Sequence, residues 1–169
     1  KRDKRVNKKI VDIKKAEIIC KEIRQKNKTV VISGGCFDIL HVGHIRFLEK
    51  AKKTGDFLFI LLESDKTTKK LKGRKRPINT QTDRAEILAS LSCVDYVVSL
   101  RNMNSNKDYD EIVYKLKPDV IAITKNDPQE IHNKRQAKRI NAKVAYVINR
   151  IENKSTSKLA EIISKNFDK

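Results

Sequence analysis

Apolar residues recur along this chain in two rhythms. From about residue 6 to 27, Val6, Ile10, Ile13, Ala16, Ile19 and Ile23 fall at helical spacing among lysines, which predicts an amphipathic helix of about five turns. Its apolar face lacks Trp and Phe, so it is expected to pack on the protein rather than lie in a membrane surface. From Thr29 onward the rhythm changes. Apolar runs at Thr29 to Ile32, Phe57 to Leu62, Tyr96 to Leu100, Val120 to Thr124 and Val144 to Ile148 read as strands buried on both faces. Helical patterns near 44–53, 80–91, 108–116, 128–140 and 155–166 lie between and after them. This alternation predicts an α/β fold: a doubly wound, Rossmann-like parallel sheet of five strands with helices on both faces. Ligands in such folds bind at the carboxyl ends of the strands. Lys66 to Arg76 reads as a strongly basic, turn-rich loop, of the sort that tends to carry function.

Composition narrows the class. A chain of 169 residues with 38% hydrophobic residues, three Pro and five Gly suits one compact domain. The expected division is an N-terminal helix over 1–28 packed on a domain over 29–169. No apolar run approaches the roughly 20 residues of a membrane span. The start, Lys1-Arg2-Asp3-Lys4-Arg5, has no apolar core after it, so no signal peptide is expected. Cys20, Cys36 and Cys93 are odd in number and widely spaced, which predicts reduced thiols, no metal knuckle and a cytoplasmic location.

A formal charge of +18 attracts polyanions. The lysines are spread along the whole length, however, and no aromatic set is interleaved with them for base stacking. Lys, Asn and Ile are all abundant, as an AT-rich genome would produce. The charge is therefore read as compositional bias together with steering of a phosphate-rich substrate. No specific nucleic-acid partner is expected, and a basic RNA-binding protein on a degenerate α/β scaffold stands as the non-enzyme alternative.

The chemistry concentrates after the first predicted strand of the sheet, in Gly34-Gly35-Cys36-Phe37-Asp38-Ile39-Leu40-His41-Val42-Gly43-His44. Glycines let a backbone approach a phosphate closely. The helix start beyond them supplies unpaired N–H groups and the positive end of a dipole. Two imidazoles at i and i+3 on a first turn share one face and can both donate to one phosphoryl group. The chain has only three His, and two of them fall in this turn. The third, His132, lies in a polar helical stretch and is expected to be dispensable.

This element resembles the His-x-Gly-His signature of the nucleotidylyltransferase superfamily, in its cytidylyltransferase-like branch. It looks most like the heptose 1-phosphate adenylyltransferases and the related glycerol-3-phosphate cytidylyltransferases. Leu71-Lys72-Gly73-Arg74-Lys75-Arg76-Pro77-Ile78-Asn79 is similar to the family's Leu-Lys-Gly…Arg-Pro-Val-Asn segment. Thr82-Asp83-Arg84 with Val94 to Val98 resembles its Arg-bearing helix and next strand. Ser155-Thr156-Ser157-Lys158 resembles its C-terminal helix start. Together these span roughly residues 29 to 165 in the family's order.

The resemblance implies transfer of a nucleoside monophosphate from a triphosphate to a phosphorylated small molecule, with release of pyrophosphate. His41 and His44 would stabilise the charge developing on the α-phosphate, and Lys72 would hold the triphosphate or the acceptor phosphate. Gly35, Cys36, Phe37 and Gly43 would line the nucleotide. Arg84 would hold a phosphate with its guanidinium fork. Ser155 and Thr156 would cap their helix and also bind the triphosphate. Asp127 would stand in the region that reads base and acceptor, although Lys125 replaces the family's glycine nearby and leaves substrate identity open. Asp38 would orient the histidine turn or help hold Mg²⁺, the expected cofactor.

Between the bases, the first half of the chain leans to ATP and a heptose 1-phosphate-like acceptor. Arg150 and Glu152, ahead of Ser155 and Thr156, resemble the glycerol-3-phosphate cytidylyltransferases and keep CTP as the alternative. Pantetheine-phosphate and nicotinamide-nucleotide adenylyltransferases fit the Leu-Lys-Gly…Arg-Pro-Ile-Asn segment less well. Class I aminoacyl-tRNA synthetases share the histidine motif, but the chain is too short to hold an anticodon-binding domain as well. The reading leaves room for a homodimer.

Overall fold

The computed structural model describes residues 4–149. It places six strands in one sheet in the order β1-β4-β3-β2-β5-β6, and every recorded pairing is parallel. The five predicted strands are all present, as β2 (Val30–Gly35), β3 (Phe57–Leu62), β4 (Tyr96–Ser99), β5 (Val120–Lys125) and β6 (Lys143–Asn149). The sixth, β1 (Ile10–Val11), corrects the strand count. It also breaks the predicted five-turn helix into α1 (Lys4–Lys9) and α2 (Ile13–Gln25). Ile10 pairs with Val97 and Val11 with Val98, so two adjacent β-branched residues cover part of the open edge of β4. Asp12 then restarts the helix, its carboxylate accepting from Lys15 N at 2.8 Å, as an N-cap does.

Three of the four predicted helices inside the described residues lie close to their predicted spans: α3 (Val42–Lys52), α5 (Gln81–Ala89) and α7 (Glu130–Ile140). The fourth, α6, runs Asn106–Leu116 and, like the others, has its ends within two residues of the prediction. The pattern at 155–166 lies outside the described residues. The predicted basic loop is corrected in its first half, because α4 occupies Asp65–Lys72. Ser64 caps it by accepting from Thr67 N at 3.1 Å. Its buried face is Thr67 and Thr68 rather than aliphatic residues, which hid the helix from a search for apolar periodicity.

Two apolar layers sandwich the sheet. One joins Ile32, Phe59 and Val98 to Cys20 of α2 and Leu116 of α6. The other joins Val31, Leu58 and Val97 to Leu48 of α3 and Leu88 of α5. Carboxylates fasten the amino-terminal edge: Asp119 accepts from Val30 N at 2.7 Å, Asp95 from Leu58 N at 2.7 Å and Asp56 from Thr29 N at 2.8 Å. The lysine-rich α4 segment lies at the opposite edge, where ligands bind in such sheets.

Candidate active site

β2 lies beside both β3 and β5, so the turn leaving its carboxyl end stands where the chain switches from one half of the sheet to the other. Phe37 in that turn has φ of 44°. Its ring folds back so that a Cβ on Gly35 would lie 2.8 Å from Phe37 Cε2. The structure thus gives Gly35 a reason other than phosphate approach: the space of its missing side chain is filled by a buried aromatic ring.

His41 is the N-cap of α3, with extended backbone at φ −141° and ψ 170°, rather than a residue of its first turn. Its Nδ1 accepts from Gly43 N at 3.1 Å. That nitrogen therefore carries no proton, and the N–H of the neutral ring sits on Nε2. The His44 ring stacks on it, with centroids 3.9 Å apart and planes at 30°, and tilts against Phe37 at 5.4 Å. Burial first, then His41 and Lys72, hold the His44 pKa down at about 4, so the ring is neutral at pH 7. His44 Nδ1 is buried without a hydrogen-bond partner among the described residues. The site thus holds two stacked histidines, and the charge near them comes from elsewhere.

Lys72 supplies part of that charge. It is the last residue of α4, is exposed, and its ammonium lowers the pKa of both His44 and Cys36, so it lies near the same turn. The Cys36 thiol is buried, and burial raises its pKa against the opposing pull of Thr68 and Lys72. A thiol held protonated in this way is a packing group rather than a nucleophile.

Arg84 is the residue to which the family resemblance gives a phosphate. It is fully buried. It donates through Nε to Asn79 O at 3.1 Å and through Nη2 to Glu63 O at 2.9 Å and Asp65 Oδ1 at 2.8 Å. Nη1 donates to Cys36 O. The guanidinium ties the ends of β2 and β3 together, with each of its nitrogens donating to the protein.

Asp38 has a comparable part. It is 2% exposed, and its carboxylate accepts from Arg76 Nε, from Ile78 N at 2.9 Å and from Asn79 N at 2.9 Å. Burial raises its pKa, but the N–H groups of Asn79 and Ile78 and the Arg76 guanidinium outweigh this and hold it low. Asp38 pins the 76–79 loop to the histidine turn. Its oxygens are thus committed to protein donors, which does not suit a Mg²⁺ ligand. No group of three His, Cys, Asp or Glu suited to a metal is found among the described residues.

Asp127 follows β5 at the same edge of the sheet, where its carboxylate accepts from Gln129 N at 2.7 Å and starts the approach to α7. Gly43 is buried in α3 and serves His41. Ser155 and Thr156 lie outside the described residues. The structure adds a residue that sequence reasoning missed. Glu63, at the end of β3, is 7% exposed and accepts from Tyr109 Oη at 2.9 Å. Its other oxygen has no partner among the described residues. Burial raises its pKa, against Tyr109 and Arg84. The available signal was a lone carboxylate closing the apolar run Phe57 to Leu62.

A parallel sheet with paired histidines at the switch point, at the start of a helix and with a lysine nearby, defines the nucleotidyltransferase class. Residues 32–163 match the cytidylyltransferase-like family model, and the chain belongs to that family. It is 38% identical over 160 residues to the bifunctional protein HldE of Helicobacter hepaticus, an overlap of 95% of this chain and 31% of that protein. It is 46% identical over 112 residues to HldE of Nitratiruptor sp., covering 66% of this chain and 23% of that one. The chain thus spans about a third or less of these relatives. The crystal structure of the lipopolysaccharide core biosynthesis protein of Thermoplasma volcanium is similar with a TM-score of 0.57 at 26% identity, over 73% of this chain and 97% of that one. The pantoate-beta-alanine ligase of Francisella tularensis shares the fold, with a TM-score of 0.64 at 20% identity over 92% and 76%.

Proposed function

We propose that this chain transfers a nucleoside monophosphate, from ATP in preference to CTP, to a sugar phosphate resembling heptose 1-phosphate. An acceptor phosphate oxygen forms a bond to the α-phosphorus, the bond from that phosphorus to the bridging oxygen breaks, and pyrophosphate leaves. The observation that carries this reading is the stacked pair His41 and His44 at the start of α3.

His41 offers Nε2–H to the α-phosphate as its charge grows. His44, desolvated and neutral, adds a second imidazole edge without the cost of burying a cation. Lys72 offsets the repulsion between the two anionic substrates, and Asp38 and Arg84 act as positioning residues beneath them. Mg²⁺ belongs to the proposal as an ion carried on the triphosphate oxygens, since phosphates with few protein ligands are a usual magnesium arrangement. It would supply charge neutralisation there.

The cytoplasm is the proposed location, in keeping with three free cysteines and a substrate found with nucleoside triphosphates. No described helix is long and apolar enough to cross a membrane. The test is pyrophosphate release with ATP, CTP, GTP and UTP against heptose 1-phosphate, glycerol 3-phosphate and phosphocholine. ATP with the heptose phosphate is expected to turn over fastest. A folded protein silent with every pair would remove the enzyme reading, and a CTP preference with glycerol 3-phosphate would replace the favoured substrates by the alternative.

A further inference from the structure

Beyond the carboxyl ends of β3 and β4, a cleft of about 390 Å³ opens between α4 and the loop after β4. Lys66, Lys69, Lys70 and Arg74 line it. On the helix, Lys69 and Lys70 stand three and four residues after Lys66, so the three share a face. Among the described residues none of these four cations has a carboxylate within ion-pair distance. Some cations elsewhere are matched, as in Lys52 with Asp95 at 2.6 Å and Arg135 with Asp110 at 2.7 Å, and what sets these four apart is that they line one cleft. Asp65, the acid closest in sequence, is half-exposed and is bonded to Arg84 at 2.8 Å.

The helix dipole accounts for lysines in the last turn of α4, but it disfavours Lys66 in the first turn and does not concern Arg74 beyond the end. Like charges three and four residues apart also oppose each other. The floor of the cleft is fixed. Ser64 Oγ donates to Asn102 Oδ1 at 2.8 Å, which leaves the Asn102 amide NH₂ as a further donor. Met103 N donates to Thr67 Oγ1 at 3.2 Å.

We infer that this cleft is a second anion site, which takes a phosphate group other than the one that reacts at His41 and His44. Its wall offers ammonium, guanidinium and amide donors, a set suited to a tetrahedral dianion. The phosphate has two sources of the same chemistry: a second phosphate on a sugar acceptor, or free inorganic phosphate. Occupancy is a binding property and needs no turnover, so the site stands or falls separately from the proposed reaction.

The test is calorimetric titration with inorganic phosphate, glucose 1-phosphate and glucose 1,6-bisphosphate. It compares the wild-type protein, a Lys66→Gln/Lys69→Gln/Lys70→Gln variant, and a Lys26→Gln/Lys53→Gln/Lys138→Gln variant that removes equal charge at the far ends of α2, α3 and α7. Phosphate affinity is expected to fall about tenfold or more in the cleft variant and stay within about twofold in the charge-matched one. His44→Ala is expected to leave it unchanged. A bisphosphate that outbinds the monophosphate in wild type, and loses that advantage in the cleft variant, identifies the acceptor as the source. Equal binding of the two sugars, with inorganic phosphate still dependent on the cleft, identifies free phosphate. An equal loss in both triple variants, no loss in the cleft variant, or loss of phosphate binding in His44→Ala would overturn the second site.

Discussion

The segments leaving β2 and β3 emerge side by side at one edge of the sheet, yet they are built from opposite materials. After β2 the chain buries an aromatic ring, Phe37, and sets two stacked imidazoles on it. After β3 it buries polar groups instead, Glu63, Ser64, Thr67 and Thr68, and leaves lysines outside. The first arrangement holds donors still in a desolvated place, where neutral groups are cheap to bury and hydrogen bonds are strong. The second presents exposed positive charge that can follow a substrate. Two arginines lie inside the boundary, Arg84 and Arg76, and each is met there by a carboxylate, from Asp65 and Asp38. The difference separates groups that orient from groups that attract.

The largest effect should come from the seam between the two segments. Arg84→Ala removes a buried guanidinium and orphans the carbonyls of Cys36 and Glu63, so about 3–5 kcal/mol of stability should be lost. Urea denaturation measures this. A variant of unchanged stability whose triphosphate KM rises steeply would return Arg84 to the role of phosphate ligand implied by the family resemblance.

On the histidine side, His44→Ala is expected to lower kcat about 10²–10³-fold, near 3–4 kcal/mol of transition-state stabilisation, with a much smaller change in triphosphate affinity. His132→Ala, with its ring only near Asn106 at the surface, should leave kcat unaltered. A His44 variant that raises KM and spares kcat would make the ring a ground-state binder.

The neutral character of that side has a pH signature. His44 falls from 6.5 to about 4 on folding. Between those values the unfolded chain binds a proton that the folded chain refuses, so stability drops as pH falls from about 6.5 to 4. His44 contributes up to about 3 kcal/mol to this loss. Chemical denaturation of wild type and His44→Gln at pH 7 and pH 4.5 should show a smaller acid loss in the variant. Equal losses in the two proteins would mean that the ring titrates normally.

The smallest effect belongs to Glu63, where the sign reverses. Burial raises its folded pKa above 4.5, so its favourable contribution is complete below pH 4.5 and is lost as pH rises through the raised value. Glu63→Gln keeps an oxygen for the Tyr109 hydroxyl and should raise the urea midpoint slightly at pH 7, with no change at pH 4. A lower midpoint at pH 7 would show that Glu63 is charged and satisfied in the folded protein.

Much of this was legible in the chain itself. Apolar runs located all five long strands, though burial on both faces does not hold for β6, an edge strand whose Tyr146 is 45% exposed. The histidine turn stood out because two of three histidines share it. Ile10–Val11 was read as helix because its apolar residues fit a helical period, and only the open edge of β4 could pair it as a strand. α4 was hidden because its buried face is threonine. Arg84 and Asp38 stood out in the family motifs, but spacing alone does not reveal the partners that their side chains meet in the fold. Glu63 carried no motif at all.

Periodicity and the order of motifs are local properties, written in residues close together along the backbone, and the sequence by itself determined the α/β alternation, the family and the pair His41 and His44. The direction of a charged side chain is set by partners far away in the chain. Arg84 meets Cys36, 48 positions distant, and Asp38 meets Arg76, 38 positions distant. Only the folded protein brings those groups together, and burial then decides that an arginine and a carboxylate join neighbouring segments from within while the lysines of α4 stay exposed.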